Sequence, residues 1–201
     1  AAADVSVSSI GREKARAPTF PAEMRSLDGL WRYSWCGEPA QAVPGFEHPD
    51  FDDSEWDTID VPSCVEMRGY GTPHYVSDSY VFRKDPPVIR DFTTGQTNYN
   101  PVSSYRRTFS VPADWRGKRI VLRFNGVDSC AAVWLNGAFV GYSEDSKLPA
   151  EFDVTEHVRF AADGRTDPEN LLAVRVLRWC DGSYMEDQDF WRYSGIARGA
   201  G

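Results

Sequence analysis

A chain of 201 residues with 41% hydrophobic content is long enough for one large domain with a sizeable core. Its formal net charge of −8 argues against nucleic acid and anionic membranes as partners. No apolar run approaches the ~18–20 residues of a membrane span, and the four cysteines, at 36, 64, 130 and 180, form no CxxC and no zinc spacing, so they read as small buried hydrophobes that leave the compartment, cytoplasmic or periplasmic, undecided.

Residues 1–26 show no periodicity and carry Pro18 and Pro21, which predicts an arm or lead-in; the segment also lacks the apolar stretch of a signal peptide. Strand signals begin at Leu27. Leu30–Trp35 alternates large and polar side chains, and Thr58–Val61 alternates again before Pro62. Tyr105–Val111 and Arg119–Phe124 are runs of the same kind. Cys130–Leu135 and Ala138–Val140 flank Asn136-Gly137, a dipeptide that accepts positive φ at both positions and predicts a tight hairpin. Leu171–Trp179 is a further long alternating strand. Single helical turns are expected at 52–56 and 155–158, and long loops at about 62–103 and 141–151. Many strands with Pro- and Gly-rich connections and no sustained helical period predict an all-β domain, a jelly-roll β-sandwich over 27–201. The short ending IARGAG reads as a cut, which makes a fragment of a longer chain the expectation.

Three stretches hold groups suited to chemistry. HPDFDD, residues 48–53, offers oxygen ligands for a cation, or a surface loop in which Asp52 or Asp53 caps a turn. RGYGTPHYVSDSY, residues 68–80, mixes Tyr70, Tyr75 and Tyr80 with Ser77 and Asp78; rings beside hydroxyls and a carboxylate suit a sugar, and equally suit pinning a long loop to a sheet. DGSYMEDQDFWRYSG, residues 181–195, concentrates Asp181, Glu186, Asp187 and Asp189 among aromatic rings. Glycoside hydrolysis needs two carboxylates about 5–10 Å apart. Spacing alone does not distinguish such a pair from a solvated loop. No Ser–His–Asp arrangement, phosphate loop, EF-hand or HExxH is present.

Ser26-Leu27-Asp28-Gly29-Leu30-Trp31, FDDSEWDTIDVPS (51–63), GYGTPHY (69–75), SYRRTF (104–109), VWLNGAFVGYSEDSKLPAEFDVT (133–155) and LRWCDGSYMEDQDFWRYSGIAR (177–198) occur in one order. In that order they resemble the N-terminal, galactose-binding-domain-like jelly roll of glycoside hydrolase family 2, with the nearest likeness to bacterial β-galactosidases. The likeness covers about residues 25–198. It implies a domain without catalytic carboxylates of its own, inactive by itself. The acid/base and the nucleophile, both Glu, would belong to a (β/α)8 barrel further along the full chain, and the full enzyme would be a retaining homo-oligomer acting on a β-galactoside or related glycan. It further implies that Asp189, the last acid of the EDQD block, touches galactosyl hydroxyls and ligates Na+, while any Mg2+ of the full enzyme lies outside this domain. A family Asn is replaced here by Ser77, with Asp78 beside it to take over the contact, and the usual Pro-Ser-Asn-Trp is Pro62-Ser63-Cys64-Val65. Both departures bear on sugar preference. A stand-alone lectin-like module is the alternative reading.

Overall fold

The structure, a computed structural model, describes residues 9–11, 23–77, 88–90, 95–160, 169–186 and 189–201. Most of the expected lead-in, along with Asp78, Tyr80 and Asp187, lies outside the described residues. Thirteen strands are seen among them: β1 (Ser9–Ile10), β2 (Gly29–Cys36), β3 (Asp57–Val61), β4 (His74–Val76), β5 (Val102–Phe109), β6 (Val121–Phe124), β7 (Val127–Asp128), β8 (Cys130–Leu135), β9 (Ala138–Ser143), β10 (Ala150–Asp153), β11 (Asn170–Leu177), β12 (Phe190–Arg192) and β13 (Gly195–Ile196). The one α-helix among the described residues, α1, spans only Gly182–Met185. The all-β expectation therefore holds.

Seven strands form an antiparallel sheet in the order β1-β9-β8-β11-β5-β2-β3. Strands β10 and β6 pair, as do β13 and β7, and Arg123 exchanges two backbone hydrogen bonds with Gly201 at 2.8 and 3.0 Å. These shorter ladders pack Leu122, Phe124, Val127, Phe152 and Ile196 against Trp31, Tyr33, Val133, Leu172, Val174 and Val176 of the large sheet. Two layers thus share one core, and each such side chain removed from water contributes roughly 1.5–3 kcal/mol. Inside it Trp31 meets Tyr105 edge-on at 6.3 Å, and the Tyr33 hydroxyl is satisfied by Ser103 Oγ at 2.8 Å.

Strand β11 is buried on both faces, which explains its nearly continuous apolar run. Its odd-numbered residues face away from the core, where the loop before β3 covers them. Phe46 there is fully buried, with Arg175 over its ring at 4.4 Å and Trp134 edge-on at 5.5 Å.

The hairpin at Asn136-Gly137 forms as expected, with φ of 55° and 86°. Asn136 does a second job. Its amide donates to the His157 carbonyl and to Asn170 Oδ1, both at 2.8 Å, and its own Oδ1 accepts from Leu171 N at 2.9 Å. The expected helical turns at 52–56 and 155–158 are isolated turns, closed by Trp56 N to Asp53 O at 3.0 Å and His157 N to Val154 O at 2.9 Å. The two long loops are shorter than expected, because β9 runs on to Ser143 and β4 interrupts the first loop.

Candidate functional site

Two three-residue strands bring the aromatic segment around residue 75 to the acid-rich segment around residue 189. In their register Trp191 lies opposite Tyr75, Phe190 opposite Val76 and Arg192 opposite His74. Continued by one residue, the same register sets Asp189 opposite Ser77. Alternation then places Tyr75, Ser77, Asp189 and Trp191 on one face. The Tyr75 hydroxyl donates to Asp189 Oδ1, the diagonal contact that this register allows. That bond to a carboxylate holds the Tyr75 phenol above its ordinary ionisation range.

This face is open. Tyr75 and Trp191 are each 52% exposed, and Ser77 and Asp189 are exposed as well. The Trp191 ring stands 5.5 Å from Tyr75 and stacks on Tyr193 at 6.1 Å and 20°. Trp191 is therefore a presented surface, whereas its place in the sequence suggests an anchor. A stacked ring wall with a hydroxyl and a carboxylate at its rim matches a sugar, which shows an apolar face and a polar edge.

Beneath the open face lies a buried frame. Arg192 is buried, donates to the Glu186 carbonyl at 3.1 Å and lies 4.3 Å over the Phe190 ring. Glu186 in turn accepts from Ser146 N at 2.8 Å. Asp181 accepts from Gly182 N at 3.0 Å at the start of α1. Deeper still, Arg178 donates to the carbonyls of Thr72 at 2.8 Å and Arg192 at 2.9 Å, tying β4 to β12. Its guanidinium stands 3.5 Å from Glu66, which also accepts from Ser194 N at 2.9 Å and Ser194 Oγ at 2.7 Å. Both members of that ion pair are essentially inaccessible. Sequence reasoning missed this pair. Nothing local marks Glu66, which sits in a polar 3-10 turn 112 positions before Arg178.

The other candidate residues have structural roles. Tyr70 packs on Tyr33 at 4.7 Å and donates to Asp57 at 3.0 Å. In HPDFDD, Asp52 accepts from Ser54 N at 2.9 Å, as a turn cap does, and Asp53 pairs with buried Arg106 at 2.8 Å. That stretch is a brace and not a cation loop. Cys130 is buried as expected, but Cys36, Cys64 and Cys180 are only half-buried. Cys180 and Cys130 are in thiol–thiol hydrogen-bond contact, which pulls Cys180 down to about 7. Nearby, burial and a hydrogen bond with Asp181 push the Glu144 carboxyl up to about 7. The largest cavity, about 560 Å3 and lined by Met24, Leu27, Phe109, Val111 and Trp115 among others, shares no residue with the Asp189 face. It is an apolar seam at one end of the sandwich, without the convergent polar groups that orient a ligand.

An antiparallel sandwich with rings and a carboxylate presented at a sheet edge is a sugar-binding class of domain. The chain belongs to glycosyl hydrolases family 2: residues 24–200 match that family's sugar binding domain. It is 41% identical over 174 residues to a β-galactosidase of Priestia megaterium, covering 87% of this chain and 16% of the relative. It is 43% identical over 178 residues to a β-galactosidase of Vibrio vulnificus, covering 88% of this chain and 16% of that relative. The chain thus spans about a sixth of these curated relatives. Among solved structures, a Bacteroides uniformis β-glucuronidase superposes with a TM-score of 0.61 at 22% identity, over 88% of this chain and 17% of that one, which speaks to the fold alone. Likeness to one segment of much longer glycosidases favours a glycosidase domain over a stand-alone lectin-like module.

Proposed function

We propose that this chain is the sugar-binding portion of a retaining β-galactosidase that releases terminal β-D-galactose, and that it supplies one wall of the substrate site. The observation that carries the proposal is the open face itself: Asp189, Ser77, Tyr75 and Trp191 side by side on two paired strands, in a chain over 40% identical to β-galactosidases. Asp189 accepts hydrogen bonds from galactosyl hydroxyls, Trp191 stacks on the apolar face of the ring, and Ser77 contacts its rim. Asp78, which follows Ser77 in sequence, adds a further acceptor. The acid/base and nucleophilic Glu residues belong to a catalytic barrel outside these 201 residues, so the chain alone turns over nothing. The full enzyme is a homo-oligomer in this reading.

Asp189 also fits a role as a Na+ ligand. It is a hard oxygen donor at an exposed edge, with one oxygen already oriented by the Tyr75 phenol. One carboxylate does not complete a coordination shell, so the remaining donors come from the barrel and the sugar. The ion would supply fixed positive charge that orients a sugar hydroxyl. Any Mg2+ binds elsewhere in the full enzyme.

The test is Asp189→Asn in the full-length enzyme. Loss of a charge-assisted hydrogen bond, at ~1.5–3 kcal/mol, lowers kcat/KM for an aryl β-galactoside by about tenfold to a hundredfold. The sodium dependence of the rate disappears with it. An unchanged kcat/KM would make the domain a pure scaffold and sink the proposal.

A further inference from the structure

A second cluster of ligating groups lies outside the sugar face. Cys130 opens β8, and its partner across the sheet is Leu177 at the end of β11. Three residues later the chain turns, and the Cys180 thiol comes back to the Cys130 thiol in hydrogen-bond contact. From the end of β9, Glu144 brings its carboxyl against that of Asp181. Tyr142 donates to Glu144 and holds it in place. The ligand atoms of Glu144, Cys180 and Asp181 all lie within 4.8 Å of one another. Packing there is close: a Cβ on Gly182 would sit 3.2 Å from the Glu144 carbonyl oxygen and 3.3 Å from Cys180 Sγ.

Two carboxyl groups and two thiols therefore converge, and the groups that act on them are acids, thiols and hydroxyls. Touching carboxylates need a proton or a cation between them. Two sulfurs and two oxygens form a borderline-soft donor set, which suits a zinc-class ion over Ca2+ or Mg2+. Four donors at ~2.0–2.3 Å from a tetrahedral ion stand roughly 3.3–3.8 Å apart, so the observed grouping needs to close by about an ångström at most. Asp181 is exposed, and it gives the ion a way in.

We propose that Glu144, Cys180 and Asp181, with Cys130 as the fourth ligand, form a structural site for a zinc-class divalent cation. The ion would tie β8 and the end of β9 to the base of the segment that leads to Asp189. Sequence spacing hides the site, because Cys130 and Cys180 meet only through the β8–β11 register.

The test is titration of the fully reduced protein with Zn2+ and with Co2+, each alone. One equivalent should bind with a submicromolar Kd, and the Co2+ form should show thiolate-to-cobalt charge-transfer absorption. Zinc should also raise Tm. Cys180→Ser should weaken binding by at least about a hundredfold, a one-ligand share of a structural zinc site's affinity. Asp181→Asn, at an exposed position, should weaken it by a comparable factor, with circular dichroism confirming that each variant is folded. No stoichiometric binding, a cobalt spectrum without thiolate bands, or unchanged affinity in Cys180→Ser would each overturn the site. So would thiol counting on anaerobically isolated protein that shows Cys130 and Cys180 already joined as a disulfide.

Discussion

Two acid-rich loops of similar composition have opposite fates in this fold. The loop before β3 places Asp53 against the buried guanidinium of Arg106 at 2.8 Å and near Arg32 at 3.9 Å. Arg106 also donates to the carbonyls of Phe46 at 2.7 Å and His48 at 3.2 Å, so that loop is stitched to the large sheet. The loop before β12 spends Asp181 and Glu186 on backbone N–H groups and leaves Asp189 at an open edge beside a phenol. The difference lies in what the fold sets opposite each carboxylate. A buried cation makes an acid structural, whereas an exposed wall of rings leaves it available to a ligand.

The comparison can be tested hardest behind the second loop. Glu66→Gln leaves the Arg178 guanidinium buried without its counter-ion, and breaking a buried pair this way costs about 3–5 kcal/mol. A drop of that size in the urea unfolding free energy is expected. Loss of sugar binding in the full enzyme should accompany it, because Arg178 ties Thr72 to Arg192 under the open face. A cost below ~1 kcal/mol would mean that solvent reaches the pair.

Next in size is the direct contrast between the loops. Asp53→Ala should destabilise by about 1.5–3 kcal/mol, the usual worth of a hydrogen bond to a charged group. Asp189→Ala should change stability by no more than about 0.5 kcal/mol, as an exposed substitution does. Equal costs at the two positions would erase the distinction. A smaller effect is expected at Trp191, whose stacking role predicts a rise in KM for an aryl β-galactoside of roughly two- to tenfold in Trp191→Ala. Tm should barely move.

The fold class was legible in the alternating runs, and the tight hairpin was legible in Asn136-Gly137, because those signals are local. The difference between the two loops was not. Asp53 and Arg106 are 53 positions apart, and Trp191 is 116 positions from Tyr75. Strands of three residues, such as β4 and β12, are too short to show a period. The likeness of the EDQD block to the family singled out Asp189, but only the β4–β12 register shows that Tyr75 and Trp191 share its face. Trp191 reads as a core ring for the same reason, since composition does not say which side of a strand meets solvent.

A third kind of carboxylate gives the smallest and most graded effect. Asp153, on β10, accepts from Thr155 Oγ1 at 2.6 Å, Arg119 Nε at 2.8 Å and Thr155 N at 3.1 Å. These bonds, the Thr155 hydroxyl first, hold its pKa down to about 2, against 3.8 for an ordinary Asp. The folded state therefore prefers the ionised form more than the unfolded chain does. The stabilisation is complete above pH ~4 and fades as pH falls toward ~2, because acid protonates the unfolded carboxyl first. The side chain is 42% exposed, so solvent screens the bonds and the effect is modest. Urea midpoints of the wild type and Asp153→Asn should differ at pH 7, by the same margin at pH 5, and converge between about 4 and 2. A gap that persisted to pH 2 would mean the carboxylate stabilises through geometry that Asn cannot copy, and its charge would not be the cause. A gap absent at pH 7 would class Asp153 with Asp189, as an acid whose bonds in the folded chain add nothing to its stability.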